Sequence, residues 1–266
     1  QYLELPLDKF SQLKGQVEIP RSGYSMVEGV SLDDHILRLI AWIITEGHFR
    51  VPPYGAGIDI SQSTNSPNTV RIEGLLNFLG IKYSRYDISI KGKPFMDGNK
   101  EYAYNDDITR FHIWAKDGRL LREIVPDKHI PKQLFQMTTK QYRMFMDEMM
   151  LGDGNIRSGQ YITGDKLLAD QVQALAFLNG DRCVISKYKG KRAYTLTFSI
   201  ALNKCGLVPK NNSKMVPYQG RVWCVSVPNG TVVARRNGRG YVIVNSHDHV
   251  VNVAPDVYLL PDPRTN

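Results

Sequence analysis

The spacing of apolar and polar positions predicts one order of elements that occurs twice along the chain. A helix that is apolar on nearly every face is predicted from Ser31, its N-cap, to Gly47, and a strand, a helix and two more strands follow it. A second long helix, ending at Gly154, begins the same order again about a hundred residues later. A repeat on this scale implies two similar halves around a pseudo-twofold axis, since solenoid repeats are shorter.

The shorter elements of the first half have their own start and stop signals. Ser66 and Pro67 begin a helix that closes at Gly80, with an apolar set at Val70, Ile72, Leu75, Leu76, Phe78 and Leu79. The stretch 110–116 is predicted as a strand, and the stretch after residue 208 changes to short β runs rich in turn residues.

Composition and charge narrow the classes of partner. The chain has 266 residues, a formal net charge of +8 and a pI near 9.3, which indicates a polyanionic partner and favours nucleic acid over a membrane surface. Three cysteines without a CxxC pair favour a reducing compartment, so the expected location is the cytoplasm. No apolar run reaches membrane-spanning length, and the start lacks a signal-peptide pattern and an initiator Met, as if an upstream segment were missing.

One carboxylate stands directly before the glycine that ends each long helix: Glu46 before Gly47 and Asp153 before Gly154. If the helices pack side by side about the pseudo-twofold axis, the two carboxylates meet, and their charges repel. A single helix of this kind is usually only structural, but two in register with a repeat favour a site. Mg²⁺ suits hard carboxylate oxygens and can activate water for phosphodiester cleavage.

The two helix ends resemble the paired motifs of the monomeric LAGLIDADG homing endonucleases. The motif frames are LIAWIITEG (39–47) and MDEMMLGDG (146–154), and the lead-in 130–154 is similar to that of intein-borne members. The resemblance implies an α+β fold of two pseudo-symmetric αββαββ-type repeats, 31–129 and 130–205, that form a DNA-binding β-saddle. Ala41 fits the small residues that the family prefers between the motif helices, whereas Glu148 does not.

The same resemblance implies site residues. Glu46 and Asp153 would hold Mg²⁺, for which Ca²⁺ or Mn²⁺ can substitute. Gln62 matches a glutamine at a strand end near the family's active site, and Lys116 is the candidate basic residue of the catalytic pocket.

Two segments carry an excess of basic residues over acidic ones, as DNA-tracking strands do. Such stripes release counterions from phosphates, and tyrosines between them can read base edges. The candidate DNA-binding residues are Lys82, Arg85, Lys91 and Lys93 in segment 81–93, and Arg182, Lys187, Lys189, Lys191 and Arg192 in segment 182–192. The alternative interpretation is a merely solvated face.

The flanks resemble intein splicing blocks of the kind found in phage-encoded hosts. Segment 222–246 is similar to the C-terminal blocks, which implies that Asn245 cyclises, that Ser246 is the acceptor nucleophile and that Cys224 stands at a block residue. Val244 replaces the usual histidine, and no nucleophile stands at residue 1, so the chain is not expected to complete splicing. The resemblance implies a partial Hint-like β module in which residues 3–20 pair with 215–245. It divides the chain into 1–30, 31–205, 206–245 and an extein-like tail, 246–266.

The sequence therefore predicts a monomeric, Mg²⁺-dependent endonuclease that cuts double-stranded DNA at a long site and resides in an intein, with no membrane partner. Two other functions stay open. One is a DNA-binding module that has lost cleavage, as Glu148 at the helix interface would allow. The other is a self-processing fragment that cleaves between Asn245 and Ser246.

Overall fold

The computed structural model describes residues 17–20, 28–51, 55–97, 100–187, 193–199, 204–207, 217, 219, 231–244 and 258–259. The fold is a mixture of helices and antiparallel sheets. The chain divides into two compact units, which we call the central unit (27–162) and the terminal unit (1–26 with 163–266).

The helices and strands alternate along the chain. In order they are β1 (Val17–Pro20), α1 (Asp34–Glu46), β2 (Gly47–Phe49), β3 (Ile58–Ser63), α2 (Pro67–Phe78), β4 (Tyr83–Ile88), β5 (Pro94–Asp97), β6 (Lys100–Ala103), β7 (Ile108–Ile113), α3 (Ala115–Ile124), a 3-10 helix (Lys132–Gln136), α4 (Thr139–Asp153), β8 (Gly154–Asn155), β9 (Gln160–Thr163), α5 (Lys166–Leu178), β10 (Arg182–Lys187), β11 (Tyr194–Ser199), β12 (Lys204–Leu207), β13 (Thr231–Arg236), β14 (Arg239–Val244) and β15 (Tyr258–Leu259).

The central unit contains a four-stranded sheet in the order β2-β3-β7-β4 with helices α1 and α2 on one face. Alternate residues of its strands, such as Ile58, Ile60, Phe111 and Ile113, are fully buried beneath these helices. The intervening residues, which include Arg110, therefore lie on the opposite face of the sheet. Strands β5 and β6 form a separate hairpin, and β8 pairs with β9.

Helices α1 and α4 lie side by side and run in the same direction. At their N-terminal ends, the side chain of Gln141 accepts a hydrogen bond from Val30 N and donates one to Val30 O. At their C-terminal ends, Gly152 lies so close to Thr45 that an added Cβ would come within 2.4 Å of the Thr45 Oγ1. Parallel packing, with a glycine of α4 against Thr45 of α1, brings the two C-terminal carboxylates to one end of the pair.

The terminal unit is built around helix α5 and a sheet in which five strands follow the order β15-β13-β14-β10-β11. Helix α5 packs on β10 and β11, and its Gln173 donates to the carbonyl oxygens of Cys183 and Gly238. Arg235 of β13 is 7% exposed and pairs with Asp170 of the helix. The hairpin of β13 and β14 is therefore anchored on the same helix as β10.

Most predicted elements are present, with local corrections. Helix α1 begins at Asp34 with Asp33 as its N-cap, not at Ser31, because the Asp33 carboxylate accepts the His35 backbone N–H. Ser66 caps α2 as predicted, but Val70 and Phe78 are 74% and 67% exposed rather than part of a core. The strand predicted over 110–116 ends at Ile113, so that Lys116 lies in a helix.

The N-terminal segment meets the C-terminal part of the chain through β1. This strand pairs with β12, and its Cα atoms come within 8 Å of those of β14. Residues 1–16 and 220–230, which also belong to the predicted splicing module, lie outside the described residues, so the module remains a prediction. Among the residues that the structure describes, no helix has both the length and the apolar character needed to cross a membrane.

Candidate active site

Glu46 and Asp153 are the last residues of α1 and α4, and the structure brings them together at one end of this helix pair. After each acid the chain passes directly from helix into an extended strand. A Cβ on Gly47 would come within 2.2 Å of the Ile43 carbonyl oxygen, and a Cβ on Gly154 within 2.5 Å of that of Met150. Glycine is therefore required after each carboxylate for space, which explains the shared acid-glycine ending of the two motifs.

The surroundings of Glu46 and Asp153 disfavour the ionised form of both carboxylates. Burial raises the pKa of Glu46, and the neighbouring Asp153 charge raises it further, against the opposing effects of Lys128 and a hydrogen bond from Gln62. Burial also raises the pKa of Asp153, which Lys128 and a hydrogen bond from Tyr161 oppose. In the part of the chain that the structure describes, one ammonium thus faces two carboxylates, and both carboxylates also lie at the unfavourable C-terminal ends of their helix dipoles.

Gln62 lies where the sequence predicted a glutamine of the site. Its Nε2 donates to Glu46 Oε1 at 3.3 Å, and its own amide oxygen accepts the Ser63 backbone N–H at 2.9 Å. Both ends of this amide are engaged, which orients the Glu46 carboxylate. Gln62 is the third strand residue, after Ile58 and Ile60, on the face of β3 that meets the helices.

The lysine beside the acids is Lys128, which the sequence reasoning missed. Its Nζ donates to the Thr45 carbonyl oxygen at 2.8 Å, at the end of α1, and its charge acts on both carboxylates. Lys116 is exposed in the first turn of α3 and has no contact with the acid pair in the part of the chain that the structure describes. Sequence offered no signal for Lys128, since it lies in an irregular segment between α3 and the 3-10 helix.

The acid pair fits a hard divalent cation. Two half-buried carboxylates with raised pKa values, compensated by a single ammonium, present the oxygen donors that Mg²⁺ accepts while keeping several waters. Among the described residues, no group of three or more His, Cys, Asp or Glu side chains is arranged around a metal position. The candidate centre thus offers two carboxylates, and water or a substrate's oxygens would have to supply the other ligands of a bound cation.

Glu148 occupies the interface between α1 and α4, where the family resemblance leads one to expect a small residue. It is fully buried, accepts a hydrogen bond from Trp42 Nε1 at 2.9 Å, and is held by Arg71 through two bonds of 2.6 and 2.7 Å. Arg38 lies 3.6 Å away. The carboxylate is thus accommodated by a cluster that ties α2 to the helix pair, which we call the Glu148 cluster.

The structure separates the predicted DNA-binding residues by sheet face. In the central unit, Arg85 points to the helix side of its sheet, where it pairs with Glu73 at 2.7 Å. In the terminal unit, Lys187 also points to the helix side of its sheet, and its Nζ donates to the Tyr194 hydroxyl at 3.2 Å. Lys166 of α5 also approaches the Tyr194 ring. Arg182 alternates with Cys183 and Ile185 and therefore belongs to the face away from the helix. Lys82 directly precedes β4, and its carbonyl oxygen accepts the Trp114 backbone N–H, which continues the pairing of β4 with β7 by one residue.

The remaining predicted residues have no assigned sheet face. Lys91 and Lys93 lie in the exposed turn before β5. The residues that fall outside the described part of the chain are Lys189, Lys191, Arg192, Cys224, Asn245 and Ser246. Two residues that the charge count passed over, Tyr86 and Arg110, are cross-strand partners on the face of the central sheet away from the helices.

The acid pair predicts an unusual dependence of stability on pH. Because both carboxyls have raised pKa values, the metal-free folded state loses stability as pH rises from about 4, the ordinary carboxyl range, through those raised values. In the Glu46→Gln variant the side chain cannot ionise. Its free energy of unfolding near neutral pH should therefore be about 1 kcal/mol higher than that of the wild type. Thermal unfolding of the variant and the wild type in EDTA, from about pH 4 to about pH 8, measures this gain in stability. The same difference between the two proteins at both pH values would contradict the prediction.

Comparison with known proteins gives partial matches. No family model matches the chain. The ribonucleoside-diphosphate reductase subunit beta of Aquifex aeolicus is 31% identical over 162 residues, which are 56% of this chain and 22% of that protein. The chain thus spans about a fifth of the length of the curated relative that it matches.

Among solved structures, the homing endonuclease I-DmoI is similar with a TM-score of 0.43 and 12% identity, covering 63% of this chain and 89% of that one. Full-length WhiA from Thermotoga maritima has a TM-score of 0.40 and 13% identity, covering 63% and 51%. The N-terminal LAGLIDADG domain of WhiA has a TM-score of 0.36 and 11% identity, covering 61% and 74%. I-DmoI has been crystallised in complex with DNA and Mn, and with DNA and Ca.

Proposed function

We propose that this chain is a metal-dependent endonuclease that cuts both strands of duplex DNA at a specific site. The observation that carries the proposal is the convergence of Glu46 and Asp153 at the ends of two parallel helices, with Gln62 and Lys128 around them. A structural helix end rarely buries two carboxylates against each other, because their mutual charge raises a pKa and costs stability.

The residues of the site have separate roles in this proposal. Glu46 and Asp153 would hold Mg²⁺, which when bound supplies a water of lowered pKa and stabilises the leaving oxygen of a phosphodiester. Gln62 orients the Glu46 carboxylate through its Nε2. Lys128, exposed and fixed to the end of α1 through the Thr45 carbonyl, places a positive charge where a scissile phosphate would meet the acids.

The sheet face away from the helices supplies a surface for DNA in the central unit. Arg110 of β7 and Tyr86 of β4 lie opposite each other on this face, beside Ser61 of β3. Tyr86 is 50% exposed, and Lys82 directly precedes the same strand, where its carbonyl oxygen accepts the Trp114 backbone N–H. A basic and polar strand face of this kind can follow a major groove and read base edges.

Residence in an intein belongs to the same proposal. If this chain is an element of a kind that is inserted into genes of unrelated enzymes, it would match only a segment of such an enzyme's product. The match to the reductase subunit covers 22% of that protein, as this expectation requires. The approach of β1 to β12 and β14 brings the two flanks of the chain together, as in an insertion whose ends lie close. On this basis 31–205 is the endonuclease, 1–30 and 206–245 are splicing remnants, and 246–266 is the tail.

The Glu148 cluster bears on the alternative of a DNA-binding module without cleavage. That alternative rested on a carboxylate that would disturb the helix contact. Because Trp42 and Arg71 satisfy Glu148 within the interface, the residue gives no reason to expect lost activity. The self-processing alternative depends on Asn245 and Ser246, which lie outside the described residues.

The test is selection of cleaved sites from a library of random duplexes incubated with the full chain and Mg²⁺, followed by binding to the selected site in Ca²⁺. An endonuclease yields an enriched long site that is bound in Ca²⁺ and cut in Mg²⁺. Site-specific binding without cleavage in Mg²⁺ would establish the DNA-binding module instead. Loss of the mass of residues 246–266 from the purified chain would reveal cleavage at Asn245.

A further inference from the structure

The hairpin of β13 and β14 presents two arginines side by side at its turn. Asn237 and Gly238 have φ values of 50° and 71°, which fit the two-residue type I′ turn that joins tightly paired strands. Arg236 and Arg239 flank this turn and are direct cross-strand partners. Both are exposed.

Strand register fixes the face on which these arginines lie. Arg235, the preceding residue, faces α5 and pairs there with Asp170, and a Cβ on Gly240 would contact Phe177 of the same helix. Arg236 and Arg239 alternate with these two residues and therefore face away from the helix.

The same register aligns the hairpin with β10. Arg239 is the cross-strand partner of Val184, and Ile185 N donates to the Gly238 carbonyl oxygen at 2.9 Å. Cys183 and Ile185 are buried on the helix side, so Val184 faces away from α5 together with Arg182. The two hairpin arginines thus extend the sheet face that carries Arg182, a residue of the predicted DNA-binding stripe.

Two arginines directly opposite each other on adjacent strands lower the stability of the sheet unless an anion compensates their charges. Like charges directly opposite each other in a sheet are unfavourable. Within the described residues neither Arg236 nor Arg239 has an ion pair with a carboxylate. Burial raises the pKa of Tyr241, and the positive charge of Arg236 opposes that rise. As far as the described residues go, the two guanidinium groups are available to a phosphate.

We propose that Arg236 and Arg239 are a phosphate-binding pair that extends the DNA-contacting face of the terminal unit onto the C-terminal hairpin. This inference rests on the proposed function and adds to it, because the hairpin belongs to the segment 206–245 assigned to splicing remnants. The hairpin is joined to the sheet through β10 and anchored on α5 through Arg235, so it serves DNA binding whether or not splicing occurs.

The experiment measures the salt dependence of binding of the full chain to a fluorescent mixed-sequence duplex in EDTA. Each phosphate contact contributes about 0.9 to the slope of log affinity against log salt, so Arg236→Ala with Arg239→Ala should lower that slope by about 1.8. Arg236→Lys with Arg239→Lys keeps both charges and should keep most of the slope. Lys166→Ala, on the helix that covers the opposite face, should leave it unchanged.

A second readout separates a binding defect from a folding defect. Because the alanine pair removes a like-charge contact, its thermal unfolding temperature without DNA should equal or exceed that of the wild type. An unchanged slope in a folded alanine pair would overturn the inference alone. A wild-type chain without salt-dependent duplex binding would overturn the proposed function as well.

Discussion

Glu46→Gln and Asp153→Asn are each expected to lower the rate of double-strand cleavage at the selected site by at least about a hundredfold. Each substitution keeps the shape of the side chain and removes one of the two charges that would hold the metal. Affinity for the same site in Ca²⁺ should stay within about threefold, since the sheet faces that meet DNA are unchanged. Single-turnover cleavage and equilibrium binding on one labelled duplex measure both quantities.

Asp147→Asn is the matched control for this pair. Asp147 is an exposed carboxylate on the same helix as Asp153, so its substitution makes the same change of charge without touching the acid pair. The Asp147→Asn variant should therefore cut the selected DNA site at the wild-type rate. Wild-type cleavage by Glu46→Gln or Asp153→Asn would show that the converging carboxylates are not the catalytic centre.

The acid pair could be predicted because it is encoded in short-range pattern. The apolar residues around each motif helix require burial, and the acid before each glycine is fixed at the helix end by the space that only glycine leaves. A repeat of this ending then implies convergence. Lys128 could not be predicted, because an irregular segment after α3 brings it to the Thr45 carbonyl, and no local pattern encodes that path.

The basic stripes show where counting charges along the chain fails. A strand alternates between two faces, so neighbouring charges in sequence point in opposite directions. Arg85 is held by Glu73 on the helix side, whereas Arg110, in a segment with no visible excess of charge, lies on the open face. The register of each strand, set by which residues the helices bury, decides which charges can meet a phosphate.

The departure of Glu148 from the family pattern is explained by partners that are distant in sequence. Trp42 and Arg71 lie 106 and 77 residues away, so their convergence depends on the packing of three helices. The sequence could mark Glu148 as unexpected between the motif helices, but it offered no means of finding the donors.

The Glu148 cluster predicts the largest effect on stability. Arg71→Met removes the bidentate partner and leaves the Glu148 carboxylate buried beside Trp42 and Arg38. Removing one partner of a buried ion pair costs about 3–5 kcal/mol, and the remaining ion pair with Arg38 together with the exposed fraction of Arg71 places the expected loss near the lower end, about 3 kcal/mol. Denaturant unfolding of the metal-free chain with a helix-sensitive probe measures this loss.

Glu148→Gln should cost less than Arg71→Met, because the two partners differ in burial. Arg71 is 42% exposed and can be hydrated once Glu148 is neutral, and the glutamine oxygen can still accept the Trp42 hydrogen bond. The expected loss is about 1–2 kcal/mol. Equal losses in the two variants would mean that the buried charge does not dominate the cluster.

The double variant, Arg71→Met with Glu148→Gln, separates the ion pair from general damage to the helix interface. Because no buried charge remains in it, its loss should be smaller than the sum of the two single losses by about 1–3 kcal/mol. Arg71 lies on α2 and Glu148 on α4, so this coupling measures how strongly α2 holds the motif helix in place. Simple addition of the two losses would show that the carboxylate is stabilised by Trp42 and Arg38 without Arg71. In that case Arg71 would not help to position Asp153 at the end of α4.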